Sequence, residues 1–212
     1  MPDPTLEREA ALWAKGLRIV AGLDEAGRGP LAGPVVAAAV AFPPGQIPIE
    51  GLRDSKLMTA AERERVAGAV RRTALGWGVG AASVREIDRI NIRRATALAM
   101  RRALAHLPVS PDYILVDGTA LPELGTAHEP VVDGDAQCQS VAAAAVLAKC
   151  VRDCLMMRLA PRYPAYQWDS NKGYATAGHL AVLDRRGPTP HHRITFSPMA
   201  QLDAFPAVKS EE

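Results

Sequence analysis

The hydrophobic and polar positions of this chain fall into short apolar runs separated by longer amphipathic stretches. Residues 18–23 and 35–42 are apolar runs of strand length, and the roughly ten residues between them allow the two strands to pair antiparallel. The second run is rich in Val and Ala and stops at Pro43-Pro44-Gly45, a turn signal. The N-terminal part of the chain therefore predicts two paired strands.

Two capping boxes mark the helices that follow. Thr59-Ala60-Ala61-Glu62 begins a helix that is predicted to run to about Leu75, and Ser83-Val84-Arg85-Glu86 begins a short helix. A longer helix over Ile92–Leu107 follows the second box. Between the two boxes, Trp77–Val84 predicts a third strand.

Two further apolar runs end in carboxylates. Tyr113–Val116 leads into Asp117-Gly118, and Pro130–Val132 leads into Asp133-Gly134-Asp135. Because a helix precedes the first of these runs, we expect that strand to lie parallel to strand 18–23 through a crossover connection.

The remainder of the chain predicts two more helices. The first has Ser140 as its N-cap, and its residues Val141–Ala148 are apolar on all sides, which is typical of a central, buried helix. Its first polar side chains share one face: Lys149, Arg152 and Asp153. The last helix covers about Thr176–Arg186 and ends at Gly187-Pro188. The order β-β-α-β-α-β-β-α predicts an α/β fold, a mixed five-stranded sheet flanked by helices with a small helical C-terminal extension.

The length of 212 residues fits one domain. We expect this domain to span residues 18–198, with an N-terminal extension over residues 1–17 and a tail over residues 199–212. The net charge of +2 neither indicates nor excludes nucleic acid, because a local basic face can coexist with a cluster of carboxylates. We expect a monomer.

Secretion and membrane insertion are not indicated by the sequence. The first residues lack a basic stretch followed by an apolar one, and the longest apolar runs have about eight residues, whereas a membrane span needs about twenty. The three cysteines, Cys138, Cys150 and Cys154, form no C-x-x-C pair. Buried free thiols in a reducing cytoplasm explain them best, and a metal pair at Cys150 and Cys154 is the alternative.

Carboxylates follow three of the predicted strands, as Asp24-Glu25, Asp117 and Asp135. If strands 18–23 and 113–116 are parallel neighbours, Asp24 and Asp117 emerge at one edge of the sheet, where open α/β sheets bind ligands. Four clustered carboxylates need a counter-charge, and a hard divalent cation such as Mg²⁺ supplies it. Two such ions can activate water and stabilise the leaving oxygen of a phosphodiester. The alternative for Asp117 and Asp135 is an ordinary turn residue.

Basic and small residues near these carboxylates suggest phosphate contacts. The turn Gly27-Arg28-Gly29 allows the backbone to approach a ligand closely. Three lysines follow turn or helix signals: Lys56, Lys149 and Lys172. Each alone is typical of a solvated surface charge, but beside Arg28 and a carboxylate cluster they become candidate phosphate contacts. Tyr174 is either a core residue or a stacking platform. His191-His192-Arg193 has the composition of an ordinary loop.

Together these motifs resemble ribonuclease HII, the type 2 ribonuclease H of bacteria. The resemblance covers about residues 18–198 in the family's order, and its first motif is the most specific. The matching segments are Gly22–Val35, Asp54–Lys56, Glu86–Ile92, Leu115–Gly118, Gly134-Asp135, Ser140–Lys149, Arg152-Asp153, Lys172–Tyr174 and His191–Arg193.

The resemblance implies an RNase H-like fold and an endonuclease that cuts the RNA strand of RNA–DNA hybrids. It also implies incision on the 5′ side of single ribonucleotides in duplex DNA, leaving 3′-hydroxyl and 5′-phosphate ends, as in ribonucleotide excision during DNA replication and repair. The implied cofactor is a divalent metal, Mg²⁺ or Mn²⁺. The implied catalytic and metal-binding residues are Asp24, Glu25, Asp117 and Asp135. The expected substrate-binding residues are Gly27, Arg28, Gly29, Lys56, Lys149, Lys172 and the junction-sensing Tyr174.

The chemistry of the substrate agrees with these roles. Only the 2′-hydroxyl distinguishes a ribonucleotide from its DNA neighbours. The backbone of the glycine turn can reach that hydroxyl where side chains are too bulky. The Tyr174 ring can pack on the adjacent deoxyribose, where a second 2′-hydroxyl would clash.

The chain departs from the family pattern at one position. Asp133-Gly134-Asp135 stands where the family usually has Lys-Gly-Asp, which predicts weaker phosphate attraction or an altered metal demand. The departure leaves open which of Asp133 and Asp135 faces the metal, although the motif favours Asp135. Two other functions remain as alternatives: a non-catalytic nucleic-acid binding module and a junction resolvase of the same fold. The short N-terminal extension disfavours a type 3 relative.

Overall fold

A mixed sheet of five strands forms the centre of residues 3–197, the part of the chain that the computed structural model describes. The strand order is β3-β2-β1-β4-β5, with β1 antiparallel to β2 and parallel to β4, as predicted. The tail predicted over residues 199–212 lies outside the described residues. The strands are β1 Val20–Ala26, β2 Val35–Phe42, β3 Gly76–Ala82, β4 Tyr113–Asp117 and β5 Glu129–Val131.

Helices cover both faces of this sheet, which confirms the predicted α/β class. Along β2, Ala37, Ala39 and Ala41 pack with one helix of the first face, and Ala38 and Val40 pack with two helices of the other. The helices are α1 Glu7–Ala14, α2 Ala60–Thr73, α3 Val84–Ala105, α4 Gly134–Gln137, α5 Gln139–Leu159, α6 Trp168–Asn171 and α7 Ala177–Arg186. Helix α3 lies on the first face, and α2 and α5 lie on the second.

Glycine allows α3 to approach the sheet closely. A Cβ atom on Gly78 or Gly80 would lie 2.2 Å from a carbonyl oxygen of α3, so only glycine fits there. Helix α3 is kinked at Asn91, whose φ of 66° is not helical. The prediction of a short helix followed by a longer one is therefore confirmed, and the two parts meet at this kink.

The helix α1 was not predicted from the sequence. Its Glu9 is completely buried, and Glu9 Oε1 accepts hydrogen bonds from the Ser140 backbone N–H (2.8 Å) and from Ser140 Oγ (2.6 Å). The prediction that Ser140 is the N-cap is wrong, because α5 begins one residue earlier and the Glu9 carboxylate satisfies the first turn. As predicted, Val141–Ala148 is buried on every side.

Strand β1 is longer than predicted, and this extension matters for the site. The antiparallel partner β2 continues past residue 23, so that Asp24 pairs with Ala38 and Glu25 with Ala37. The two carboxylates are therefore fixed within the sheet and do not belong to a loop.

None of the helices within residues 3–197 is long and apolar enough to cross a membrane. All three cysteines are free: Cys138 and Cys150 are buried, whereas Cys154 is exposed. The expectation of buried thiols is therefore wrong for Cys154.

Candidate active site

The predicted carboxylates come together from three elements, β1, β4 and α4. The parallel pairing of β1 with β4 ends at Leu23 opposite Val116, so Asp24 and Asp117 come next on neighbouring strands. Because parallel strands carry equivalent residues to the same edge, both carboxylates emerge at the edge where open sheets bind ligands.

Asp135 joins this group from the first turn of α4. The Gly134 backbone N–H donates a 2.7 Å hydrogen bond to Asp117 Oδ1, which fixes α4 against the end of β4. Asp135 is buried, whereas Asp133 is exposed and adopts a left-handed φ of 52°. Of the two aspartates, Asp135 is therefore the one within the carboxylate group.

Burial and mutual repulsion raise the pKa values of these carboxyl groups. Burial first, and then the charges of Glu25 and Asp117, raise the pKa of Asp24 well above its ordinary value of 3.8. Burial also raises the pKa of Glu25, against the opposing effect of Arg28. The pKa of Asp117 is raised by burial and then by Asp135. The site therefore favours a ligand of positive charge.

Two basic side chains of the protein neutralise part of the negative charge of these carboxylates. Lys56 Nζ lies 3.3 Å from Asp135 Oδ2, and Arg28 Nη1 lies 3.2 Å from Glu25 Oε1. Within residues 3–197, no three His, Cys, Asp or Glu side chains are gathered closely enough to form a metal site by themselves. The donor set nevertheless fits Mg²⁺ or Mn²⁺, because it consists of carboxylate oxygens that repel one another.

Arg63 holds the loop that carries Lys56, a role that sequence reasoning missed. Arg63 Nη1 donates to the Ser55 carbonyl oxygen at 3.0 Å, and Arg63 Nη2 lies 3.6 Å from Asp153 Oδ2. Asp153 Oδ1 in turn accepts a 2.8 Å hydrogen bond from Lys149 Nζ. These charges form a network from α2 to α5 along the side of the site.

The glycine turn packs directly on a buried arginine. Gly27 has a φ of 93°, and a Cβ atom on it would lie 1.9 Å from Arg152 Nε. Arg152 is fully buried and donates to the carbonyl oxygens of Ala32 and Pro34, each at 3.1 Å. Arg152 was predicted to share a polar face of α5 with Lys149 and Asp153. It is instead buried beneath the glycine turn, whereas Lys149 lines the cleft.

A cleft of about 1090 Å³ lies over the carboxylates. Tyr174 lines it and is 45% exposed, which decides against a core position. A Cβ atom on Gly29 would lie 4.0 Å from the Tyr174 ring, so the turn and the ring face each other. The predicted site residues that line the cleft are Asp24, Glu25, Gly27, Arg28, Gly29, Lys56, Asp117, Lys149, Lys172 and Tyr174. Asp135 does not line the cleft itself, but its carboxylate contacts Lys56, which does.

The cleft also contains residues that were not predicted. Arg158 and Met157 line it from the last turns of α5, and Ser170 lines it from α6. The signal in the sequence for Arg158 and Met157 is the continuation of the α5 face past Lys149 and Asp153, whereas no pattern in the sequence indicates Ser170. The cations of this cleft suit a polyanionic ligand.

This fold and site define a class of protein, the nucleases with an RNase H-like fold. The profile of the family described as Ribonuclease HII matches residues 21–199. The chain belongs to the ribonuclease HII family, which makes it a hydrolase of the ribonuclease H class.

Similar proteins agree with this assignment along almost the whole chain. A ribonuclease HII of Granulibacter bethesdensis is 53% identical over 209 residues, which are 97% of this chain and 93% of that protein. The ribonuclease H2 of Pyrococcus horikoshii OT3 has a TM-score of 0.72 and 25% identity, covering 87% of this chain and 96% of that chain. A structure of Bst-RNase HIII in complex with Mn²⁺ shares the fold, with a TM-score of 0.69 and 21% identity over 91% of this chain and 72% of that one.

Proposed function

We propose that this protein is a metal-dependent endonuclease that cuts the RNA strand of RNA–DNA hybrids. We further propose that it incises on the 5′ side of single ribonucleotides in duplex DNA and leaves 3′-hydroxyl and 5′-phosphate ends. The observation that carries the proposal is the pairing of two neighbouring strand carboxylates with a glycine turn in one basic cleft. Because the carboxylates Asp24 and Asp117 and the turn Gly27-Arg28-Gly29 line the same cleft, one ribonucleotide could contact both.

The carboxylates of Asp24, Glu25, Asp117 and Asp135 are the proposed metal ligands and catalytic residues. Mg²⁺ or Mn²⁺ held by these oxygens would polarise the scissile phosphate and lower the pKa of an attacking water. The Mn²⁺ complex of a protein with the same fold supports this choice of metal. Lys56 and Arg28 each contact one oxygen of Asp135 and Glu25, and both cations lie where they could also contact phosphate oxygens of a bound substrate.

Substrate selection is proposed to depend on the backbone of Gly27, Arg28 and Gly29 and on the Tyr174 ring. The turn offers polar backbone groups to the 2′-hydroxyl of the target nucleotide. The ring faces the turn, so it would pack on the sugar of the next nucleotide, which is a deoxyribose at an RNA–DNA junction. The cations Lys149 and Lys172 are proposed to contact the phosphate backbone.

The exposed Asp133 is proposed to weaken the attraction of the site for phosphate without binding the metal. It replaces a family lysine, and its exposure supports an effect on phosphate attraction more than on metal coordination. We also infer a monomer whose catalytic unit is residues 18–198, with an N-terminal extension over residues 1–17. Free thiols without disulfides support a cytoplasmic location.

The test is a set of aspartate variants assayed on a duplex that contains one ribonucleotide. Asp24→Asn and Asp117→Asn should lower Mg²⁺-dependent cleavage by more than about a hundredfold, because replacing residues that only support metal ligands already costs up to that much. Duplex binding should survive in both variants. Asp184→Asn is the matched control, since it makes the same chemical change at an exposed position outside the cleft.

The outcomes separate the three candidate functions. Loss of cleavage in the first two variants, with activity kept in the control, supports the nuclease. Duplex binding by the wild type without any cleavage would support a binding module, and cleavage of a branched DNA junction in preference to the ribonucleotide would support a resolvase. Wild-type cleavage rates in Asp24→Asn or Asp117→Asn would contradict the assigned roles.

A further inference from the structure

The C-terminal segment Thr189–Arg193 lies beneath both of the elements that are proposed to recognise the ribonucleotide. His191–Arg193 within it was expected to be an ordinary loop, yet His192 and Arg193 are buried almost completely. Buried arginine and histidine are uncommon unless their polar atoms are satisfied. The partners of these atoms therefore indicate what the segment does.

Arg193 binds the glycine turn from below. Its Nη2 donates to the carbonyl oxygen of Gly27 at 2.6 Å, and its Nη1 donates to that of Arg28 at 2.8 Å. The same guanidinium donates twice to Gly33, at 2.8 Å and 3.0 Å, and it stacks over the Phe196 ring at 4.9 Å. Only the planar guanidinium group of arginine offers enough donors to bind these three carbonyl oxygens at the same time. The ammonium group of lysine cannot make all of these contacts.

These contacts fix the direction of two backbone donors. In a planar trans peptide the C=O and N–H groups point in opposite directions. With the carbonyl groups of Gly27 and Arg28 directed at Arg193, the N–H groups of Arg28 and Gly29 point away from it. Among residues 3–197, neither N–H donates to a protein acceptor, and both residues line the cleft. Arg193 thereby presents two donors to the cleft.

A pair of buried histidines holds the backbone of Tyr174. The Thr189 backbone N–H can only donate, so His192 Nδ1 accepts its 2.9 Å hydrogen bond and the proton of neutral His192 is on Nε2. His192 Nε2–H then donates to His179 Nε2 at 2.9 Å. The proton of His179 is therefore on Nδ1, which donates to the Tyr174 carbonyl oxygen at 2.8 Å. Trp168 Nε1 lies 3.4 Å from His179 Nε2 and completes this cluster.

Both histidines are neutral in this chain of hydrogen bonds. Burial lowers the pKa of His192 to about 3 and also lowers that of His179. A proton added to either ring would set two N–H groups against each other. The backbone of Leu31 connects the two halves, since it accepts from the Arg193 N–H at 2.8 Å and donates to the Gly173 carbonyl oxygen at 2.9 Å.

We propose that the segment Thr189–Arg193 positions both groups that select the ribonucleotide. Arg193 orients the N–H groups of the glycine turn towards the cleft, and the hydrogen-bonded pair of His192 and His179 fixes the backbone of Tyr174. The proposal rests on the function proposed above. It makes Arg193, His192 and His179 positioning residues that determine specificity without touching the substrate. One short segment then controls both the 2′-hydroxyl contact and the junction contact.

Two ratios test this proposal separately. The first is the affinity for a duplex with one ribonucleotide relative to the all-DNA duplex, measured in EDTA so that nothing is cut. Arg193→Lys should lower this ratio roughly three- to tenfold, the value of one hydrogen bond, since it keeps the charge and loses the fork. Arg102→Lys is the matched control, because Arg102 also donates to a backbone carbonyl oxygen but lies away from the cleft.

The second ratio is kcat/KM on the single-ribonucleotide duplex relative to kcat/KM on a continuous hybrid. His179→Asn keeps an N–H near the position of Nδ1, whereas His179→Gln moves the amide toward Nε2. We expect His179→Asn to keep the wild-type ratio and His179→Gln to lower it severalfold. His106→Gln is the control, because His106 Nδ1 also contacts a carbonyl oxygen, 2.7 Å away at Val79, outside the cleft.

The outcomes distinguish this inference from the function on which it rests. If the wild type does not cut the single-ribonucleotide duplex, the proposed function fails and the inference fails with it. If the wild type cuts and folded Arg193→Lys keeps the affinity ratio, or the two His179 variants behave alike, the inference alone is overturned. If circular dichroism shows that Arg193→Lys does not fold, the comparison of His179→Asn with His179→Gln still tests the inference. A merely structural role of His179 would change both ratios and would also lower the melting temperature of the variant.

Discussion

Tyr174 presents an exposed ring beside the glycine turn, and its backbone is fixed by His179. Removing the ring by Tyr174→Ala should reduce the preference for an RNA–DNA junction over a continuous hybrid by roughly fivefold or more, because an aromatic contact to a nucleotide contributes about 1–3 kcal/mol. Comparison of cleavage patterns on the two substrates measures this preference.

Tyr174→Phe is the control for that prediction. It keeps the ring and should retain the wild-type pattern, since the proposed contact is packing against a sugar. An unchanged pattern in Tyr174→Ala would remove Tyr174 from the recognition of the junction.

Single residues differ in how well the sequence reveals them. Asp24 and Asp117 could be identified because each follows an apolar run, a local signal. Arg193 could not, because its partners Gly27 and Arg28 lie more than 160 positions earlier in the chain. A buried arginine has no local pattern that separates it from an arginine on the surface.

The capping box of α3 is an element whose stability depends on pH. Glu86 accepts hydrogen bonds from Arg102 and from the Ser83 backbone, which lower its pKa from 4.5 to about 2. A carboxyl group with a lowered folded-state pKa contributes stability above its unfolded pKa and loses that contribution as the pH falls through the folded pKa. The contribution is therefore complete above about pH 5 and disappears towards pH 2.

Glu86→Gln should lower the free energy of unfolding by about 1–2 kcal/mol at pH 7, a value limited by the screening of groups that reach water. The difference from wild type should shrink steadily from about pH 4.5 towards pH 2 in urea titrations. Glu50→Gln, at an exposed position, is the control. A difference that stays constant with pH would show that the charge of Glu86 does not contribute.

The elements themselves were largely predictable, and the exceptions have physical causes. Five strands and the kinked α3 follow from apolar periodicity and capping boxes. Helix α1 escaped prediction because Glu9, a charged residue, occupies its buried face. The end of β1 was placed too early because Asp24 and Glu25 are polar, although pairing with β2 keeps them in the strand.

The molecule as a whole combines a small net charge with a strongly charged cleft. Carboxylates lie at its floor and basic side chains lie around them, including Lys172. Composition could not reveal this separation, because only the fold brings Lys56 of the loop before α2 together with Lys149 of α5. Affinity for a duplex should therefore fall steeply with salt.

Lys172→Gln should weaken duplex binding equally for all sequences and reduce the slope of log affinity against log salt by about 1, the value for one lost phosphate contact. Affinities measured over a series of salt concentrations give this slope. Lys15→Gln, exposed and outside the cleft, should leave it unchanged. Equal slopes for Lys172→Gln and the wild type would exclude a phosphate contact at Lys172.

The central claim is that one cleft combines metal-dependent hydrolysis with recognition of a single 2′-hydroxyl. Its most direct test is cleavage of a DNA duplex with one ribonucleotide, with Mg²⁺ or Mn²⁺ and with EDTA, followed by mapping of the product ends. We predict one metal-dependent cut on the 5′ side of the ribonucleotide, with 3′-hydroxyl and 5′-phosphate ends, and no cut in the all-DNA duplex. Cleavage in EDTA, or equal cleavage of the all-DNA duplex, would contradict the account.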